Sequence, residues 1–216
     1  YRNHALTEAA IGNKRTPLEF EHQGTRELTA HDYVYAIRRL ATTRIKSPSF
    51  SPLAEKIKGL KEYGDQISVV DAKLRNGRPL TDRSLPFLDF RDYPFAGAEA
   101  LDDHTLRIRL IGKYPQFKYW MTLGFFAPVP WEADKFYSQP GMATNNLTMN
   151  DWPVGTGPYM LTESQVNRRI VLTRNPNFRG EPYPCEGESA DEAAGLLVDC
   201  GKSMPFIDRV VFTIEK

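Results

Sequence analysis

The sequence predicts a mixed α/β chain, and three observations carry that expectation. Residues 29–41 join a helix cap to an apolar stripe at helical spacing. Residues 105–110, 168–174 and 207–214 alternate apolar with polar side chains or concentrate β-branched and aromatic ones, as strands do. Trp152-Pro153-Val154-Gly155-Thr156-Gly157-Pro158-Tyr159-Met160-Leu161 is a stiff turn that opens into an extended segment.

The totals exclude several classes. The 216 residues carry 28 basic and 27 acidic side chains, a net charge of +1, so nothing points to nucleic acid or to an anionic membrane surface. No apolar run approaches the roughly 20 residues needed to span a bilayer. A compact chain of this length buries about 70% of its unfolded surface, enough for a sizeable core. The chain opens on Tyr1 with neither Met nor a signal peptide, as a processed piece of a longer protein would.

Residues 1–24 are polar and irregular, with a short helix expected around residues 6–11 and broken at Gly12. Thr29 then caps the clearest helix of the chain. Asp32 falls at its third position, where a carboxylate meets free N–H groups and the positive end of the dipole. Tyr33, Val34, Ile37, Leu40 and Ala41 share one face, and Arg38 and Arg39 lie outside it. His31 beside Asp32 has the residue types for acid–base work, but at a helix start the capping role accounts for the pair. A second helix is expected from Ser51, with Pro52 at its first position, Leu53, Ile57 and Leu60 on its buried face, and Gly64 as its stop. A further short helix is expected near residues 68–75, followed by loop.

Residues 98–110 read as a hairpin, with Leu106, Ile108 and Leu110 facing a core. Asp102, Asp103 and His104 at its tip are metal-ligating types, but they are also ordinary turn residues, and a turn is expected. A third helix is expected from Gly112 onward, carrying Phe117, Trp120, Met121 and Leu123. Residues 124–130 read as extended, residues 131–137 as a helix and residues 142–151 as a polar loop. In the Gly-Pro turn, Gly155 and Gly157 are expected to supply backbone angles that a side chain forbids. A phosphate loop is the weaker reading there, because no Lys-Ser/Thr follows and the segment feeds a strand, not a helix. Asn175-Pro176 makes a turn, and residues 207–214 form the last strand.

No catalytic set assembles. Gly-x-Ser-x-Gly and His-Glu-x-x-His are absent, and His4, His22, His31 and His104 are scattered. Glu19, Glu21 and His22 read as a solvated loop. No enzyme activity, metal site or cofactor is expected. Cys185 and Cys200 flank an acidic segment with too few further ligands for a metal. A disulfide closing that loop is the first reading, and two reduced thiols are the other. Aromatic residues make up 12% of the chain, concentrated at 114–131 and around Trp152.

Five blocks, in order, resemble the bacterial extracellular solute-binding proteins of ABC importers, in their peptide/nickel-binding family (family five). They are residues 26–37 (Arg-Glu-Leu-Thr-Ala-His-Asp-Tyr-Val-Tyr-Ala-Ile), residues 101–110 (Leu-Asp-Asp-His-Thr-Leu-Arg-Ile-Arg-Leu), Ala127-Pro128-Val129-Pro130, Pro153-Val154-Gly155-Thr156-Gly157-Pro158-Tyr159, and Arg174-Asn175-Pro176-Asn177-Phe178. The resemblance implies part of the first lobe of a type II periplasmic-binding-protein-like fold. Residues 1–127 would hold an N-terminal insertion and the smaller α/β subdomain, and 128–216 part of the main mixed sheet. It implies a monomeric, periplasmic binder that hands a peptide or similar small solute to an inner-membrane ABC permease. Family members run to about twice this length or more, so the chain resembles an incomplete member. Residues 1–24 and the 185–200 loop exceed the family's usual connections. Phe125, Phe126 and Trp152 are the candidate cleft-lining residues, with plain core as the alternative. A solute-sensing lobe of a regulatory protein and a hydrolase with an unrecognised site are the rival functions.

Overall fold

The computed structural model describes residues 8–21, 24–82 and 85–215. The chain divides into two compact units. The first holds the described residues up to Arg15 together with Arg26–Met149, and the second holds Thr16–Thr25 and Asn150–Lys216.

The first unit contains α1 (Glu8–Ile11), α2 (Ala30–Leu40), α3 (Phe50–Ala54), α4 (Leu60–Arg75), the hairpin strands β1 (Ala98–Asp102) and β2 (Thr105–Ile108), α5 (Phe117–Trp120) and α6 (Trp131–Tyr137). Leu6 of the expected first helix lies outside the described residues. α2 starts where its cap predicts. Val34, Ile37, Leu40 and Ala41 turn inward as expected, but Tyr33 stays out of the core and Tyr35 takes its place, joining Leu53, Ile57, Leu60, Tyr63, Ile67, Leu88, Phe90, Ala98, Phe117 and Phe126. Leu106, Ile108 and Leu110 pack onto that core as the alternation predicts. Beyond β2 the backbone pairs once more. Lys58 N–H donates to Arg109 O at 2.9 Å and Ile111 N–H to Lys56 O at 2.8 Å. Gly97 makes this possible, because a Cβ there would lie 2.3 Å from Lys58 O.

Four expectations for this unit are corrected. The helix expected from Ser51 to Gly64 is two elements. α3 ends at Ala54, Gly59 takes a left-handed φ of +76°, and α4 begins afresh at Leu60. Gly64 does not stop a helix but sits inside α4, which runs on to a left-handed Asn76. Its small size serves packing, since a Cβ at Gly64 would fall 2.5 Å from Phe50 Cζ. The helix expected from Gly112 is one turn, and Gly124–Phe126 is a 3₁₀ turn, not an extended segment. The loop 142–151 is polar only in part, because Met142 and Leu147 are fully buried.

The second unit contains β3 (Tyr159–Gln165), β4 (Arg169–Arg174), β5 (Glu181–Pro182), α7 (Ser189–Ala193), β6 (Ser203–Met204) and β7 (Arg209–Thr213). β3, β4 and β7 form an antiparallel sheet in that order. Val171, paired with Val211, is buried on one face, whereas Ile170 and its partner Phe212 are largely exposed on the other. The Gly-Pro turn is tied to the sheet by Asn175, whose N–H donates to Pro158 O at 2.8 Å and whose Nδ2 donates to Gly157 O at 2.9 Å. The expectation for its glycines is corrected as well. Neither Gly155 nor Gly157 has a left-handed φ, and a Cβ on either would meet nothing within 4 Å. The prolines and Asn175 shape this turn. Thr16 and Glu19 bracket a 3₁₀ turn, where Glu19 Oε1 accepts from Thr16 N–H at 2.9 Å. His4 and His22 lie outside the described residues.

β5 and β6 pair as a short ladder beneath the acidic loop. Tyr183 N–H donates to Lys202 O at 2.9 Å, and Gly201 N–H donates to Tyr183 O at 3.0 Å. These bonds bring the two cysteines together. Cys185 and Cys200 form a disulfide with Cα atoms 4.6 Å apart. Among the described residues no helix is long and apolar enough to cross a membrane.

Two substitutions test this packing. Gly64→Ala gains about 1 kcal/mol of helix propensity, but crowding the Phe50 ring costs about 2 kcal/mol. A net loss of about 1 kcal/mol is therefore expected in urea denaturation, and a gain when Phe50→Leu is already in place. A stabilised single variant would show that the ring yields freely. Replacing both cysteines by serine is expected to cost about 3 kcal/mol through the freed loop, read from the same experiment.

Candidate functional site

An open concavity of about 440 Å³ lies in the first unit where the start of α2 meets the start of α6 and the β1–β2 turn. Arg26, Glu27, Thr29, His31, Asp32, Asp103, Trp131 and Glu132 line it. Arg26 is its centre. Nη1 donates to Glu27 O and to Asp32 Oδ2, both at 2.8 Å. Nη2 donates to Asp32 Oδ1 at 2.5 Å and to Glu132 Oε2 at 2.8 Å. Nε donates to Glu132 Oε1 at 2.9 Å. A guanidinium has five N–H groups, and each of these has an acceptor. The bonds to Asp32 and Glu132 hold the Arg26 pKa well above its ordinary range.

Asp32 has two roles here. Its side chain is only 4% exposed. It closes the helix start by accepting from Thr29 N–H at 2.9 Å, and it also receives Arg26. The capping role is legible in the sequence. The ion pair is not, because Glu132 is 106 residues from Arg26 and nothing local announces it. His31 and Asp103 are exposed, with Nε2 and Oδ1 at 3.6 Å. At the hairpin tip, Asp102 Oδ1 accepts from the backbone N–H of His104 at 2.8 Å, an ordinary turn bond. That bond, first among several, lowers the Asp102 pKa. Among the described residues no three His, Cys, Asp or Glu side chains gather as a metal site.

With every Arg26 donor engaged, the concavity offers an anion no free cation from its centre. It has no nucleophile paired with a base. Its bonds to Asp32 and Glu132 make Arg26 a clasp joining α2 to α6. A second ion pair repeats the device, with Asp134 of α6 accepting from Arg39 Nε at 2.7 Å and from the Tyr35 hydroxyl at 3.0 Å. Burial, the charge of Asp134 and this hydrogen bond push the Tyr35 pKa far up.

The three aromatic candidates lie elsewhere. Phe126 is buried in the core, edge-on to Phe117 with ring centroids 5.8 Å apart. Phe125 is half-buried, with its centroid 5.2 Å from that of Phe126 and 5.9 Å from that of Trp120. Trp152 belongs to the second unit and is buried. The structure thus brings Phe125 and Phe126 together, and neither lines the Arg26 concavity.

Residues 22–215 match the family described as bacterial extracellular solute-binding proteins, family 5, middle region, and the chain belongs to that family. That family is one of solute binders, not enzymes. The chain is 32% identical over 151 residues to the periplasmic oligopeptide-binding protein OppA of Salmonella typhimurium, covering 70% of this chain and 23% of that protein. Against OppA of Escherichia coli K12 the identity is 30% over 151 residues, with the same coverage. The chain thus spans under a quarter of the length of these curated relatives. Among solved structures it resembles a periplasmic oligopeptide-binding protein, OppAIV, of Borrelia burgdorferi, with a TM-score of 0.54 and 20% identity over 88% of this chain and 28% of that one. It also resembles the murein tripeptide-binding protein MppA of Escherichia coli, with a TM-score of 0.51 and 22% identity over 88% and 27%. At such identities the structural likeness is one of fold. It identifies the mixed α/β chain as part of a periplasmic-binding-protein-like architecture.

Arg26→Met tests the clasp. It leaves Asp32 buried with its charge unpaired, and a loss of about 3 kcal/mol is expected in urea denaturation. Adding Asp32→Asn should recover part of that loss, since the stranded charge is then gone. Equal stability of Arg26→Met and the native chain would show that the network is idle.

Proposed function

We propose that this chain serves in the substrate-binding component of an ABC importer, one that captures peptides or similar small solutes in the periplasm and delivers them to an inner-membrane permease. The family match over residues 22–215 carries the reading, and the two OppA relatives supply its ligand class. The Cys185–Cys200 disulfide fits an oxidising compartment. In this reading the chain is monomeric and belongs to the first of two lobes. Residues to about 127 form its outer subdomain, and those beyond contribute to its main sheet. Of the three aromatic candidates, half-buried Phe125 is the one with surface to offer a solute.

A two-lobed binder grips its solute from both walls and sheds water as it closes. One wall supplies about half the contacts, while the loss of ligand freedom is nearly undiminished. Halving about −8 kcal/mol, a micromolar affinity, leaves a millimolar one. For residues 1–216 alone, calorimetry with a tripeptide is expected to show a Kd no tighter than about 1 mM. Micromolar binding would place the whole site within this chain. Deleting the coding sequence in the source bacterium is expected to cut uptake of a labelled tripeptide at least about tenfold. Uptake left unchanged across short peptides would overturn the transport reading.

A further inference from the structure

Among the described residues three asparagines hold a left-handed backbone, Asn76 with φ +47°, and Asn146 and Asn167 with φ +57°. Two of them are followed by a bonded amide. Leu147 N–H donates to Met142 O at 2.9 Å, and Arg168 N–H donates to Gln165 O at 3.0 Å. Asn76 differs. Gly77 follows it, in the single Asn-Gly pair of the sequence. Gly77 N–H has no acceptor among the described residues, and the Asn76 side chain has no hydrogen-bond partner there. Both residues are exposed, and a Cβ on Gly77 would meet nothing within 4 Å.

A side-chain amide beside a free, uncrowded backbone nitrogen is a reactive pair. The Gly77 nitrogen attacks Asn76 Cγ. The N–Cγ bond forms, the Cγ–Nδ2 bond breaks, and the side-chain nitrogen leaves as ammonia with the Gly77 amide proton. Water then opens the five-membered ring, at Cγ to give aspartate or at the backbone carbonyl carbon to give isoaspartate. The balance is amide plus water to carboxylic acid plus ammonia. Glycine favours the step because it puts no side chain beside the attacking nitrogen.

The end of α4 gates this chemistry. Asn76 closes the helix with ψ +53°. Because Cα is tetrahedral, this ψ places the Gly77 nitrogen opposite Cβ across the Cα–C bond, away from Cγ. Attack waits until ψ swings the nitrogen to the Cβ side. Little holds ψ in place. Asn76 N–H is shared between Ala72 O at 3.3 Å and Lys73 O at 3.2 Å, and Arg78 N–H donates to Arg75 O at 3.0 Å. Exposed helix ends open far more readily than the whole fold. The product puts a carboxylate at the negative end of the helix dipole. It also stands one residue from Arg75, whose Nε donates to buried Asp71 at 3.0 Å. Isoaspartate adds a main-chain carbon inside the turn that Arg75 Nη1 closes on Arg78 O at 2.9 Å.

We propose that Asn76 is a site of spontaneous deamidation, released by opening of the α4 C-terminus, and that its conversion loosens that end of the helix. The 216-residue protein is incubated in warm, mildly alkaline buffer, either folded or in concentrated urea, and each asparagine is followed by peptide mass mapping. Isoaspartate is counted by methyl transfer from S-adenosylmethionine with an isoaspartyl methyltransferase. In the folded protein Asn76 is expected to convert at least about tenfold faster than Asn146 and Asn167, and in urea at least about tenfold faster than when folded. Gly77→Ala is expected to slow Asn76 at least about tenfold in urea and in the folded protein alike. After conversion, amide hydrogen exchange at residues 73–75 is expected to quicken at least about threefold. Conversion of Asn76 no faster than that of Asn146 and Asn167 in the folded protein overturns the site. Equal rates in folded protein and in urea overturn the gate, and unchanged exchange overturns the loosening. Should Gly77→Ala fail to fold, its rate in urea still tests the part glycine plays.

Discussion

The five hydrogen bonds of Arg26 hold the first unit in register. The side chain sits just before α2, yet it binds a carboxylate in the first turn of that helix and another in the first turn of α6. One guanidinium thereby fixes where α2 begins and where α6 lies against it. Both carboxylates occupy helix starts, where the dipole already favours negative charge. The cluster is largely sheltered from water, with Asp32 4% and Glu132 16% exposed, so salt screens it less than it would a surface pair. Its value lies in specifying one arrangement, since removing Arg26 strands both carboxylates.

The same logic recurs deeper in the unit. Asp71 is fully buried in α4 and is met by Arg44 Nε at 2.6 Å and by Arg75 Nε at 3.0 Å. Arg44 also donates to Pro86 O at 2.6 Å, so one carboxylate gathers the segment after α2, the helix α4 and the loop beyond it. The glycines complete this picture where backbone or ring comes too close for a side chain, at Gly97 beneath Lys58 O and at Gly64 beneath Phe50. Helices as short as α3 and α5 have little stability of their own. Charge clasps and close backbone contacts supply what their length does not.

The binder proposed above would be served by this kind of wall. Its framework must hold shape while the ligand is absent, because each side chain ordered on binding subtracts from affinity. In the first unit most arginines are committed to carboxylates or carbonyls within the fold. The second unit is built differently, around a three-stranded sheet with one exposed apolar face and a disulfide-closed acidic loop.

By itself the sequence determined the elements whose signals are local. The cap at Thr29, the stripe from Val34 to Leu40, the alternation at Leu106 to Leu110 and the strands around Val171 and Val211 each need only neighbouring residues. Five ordered blocks of such local pattern were enough to place the chain in its family. Tertiary structure alone decided the rest. Gly64 reads as a helix stop until Phe50 is seen lying over it, and Gly155 and Gly157 read as conformational necessities until their surroundings prove open. Phe126 reads equally as cleft or core until Phe117 is found against its edge. The pairings of Arg26 with Glu132 and of Arg44 with Asp71 are long-range facts. They depend on which charges the packed chain brings within about 3 Å of one another, and no pattern in the local sequence encodes that distance.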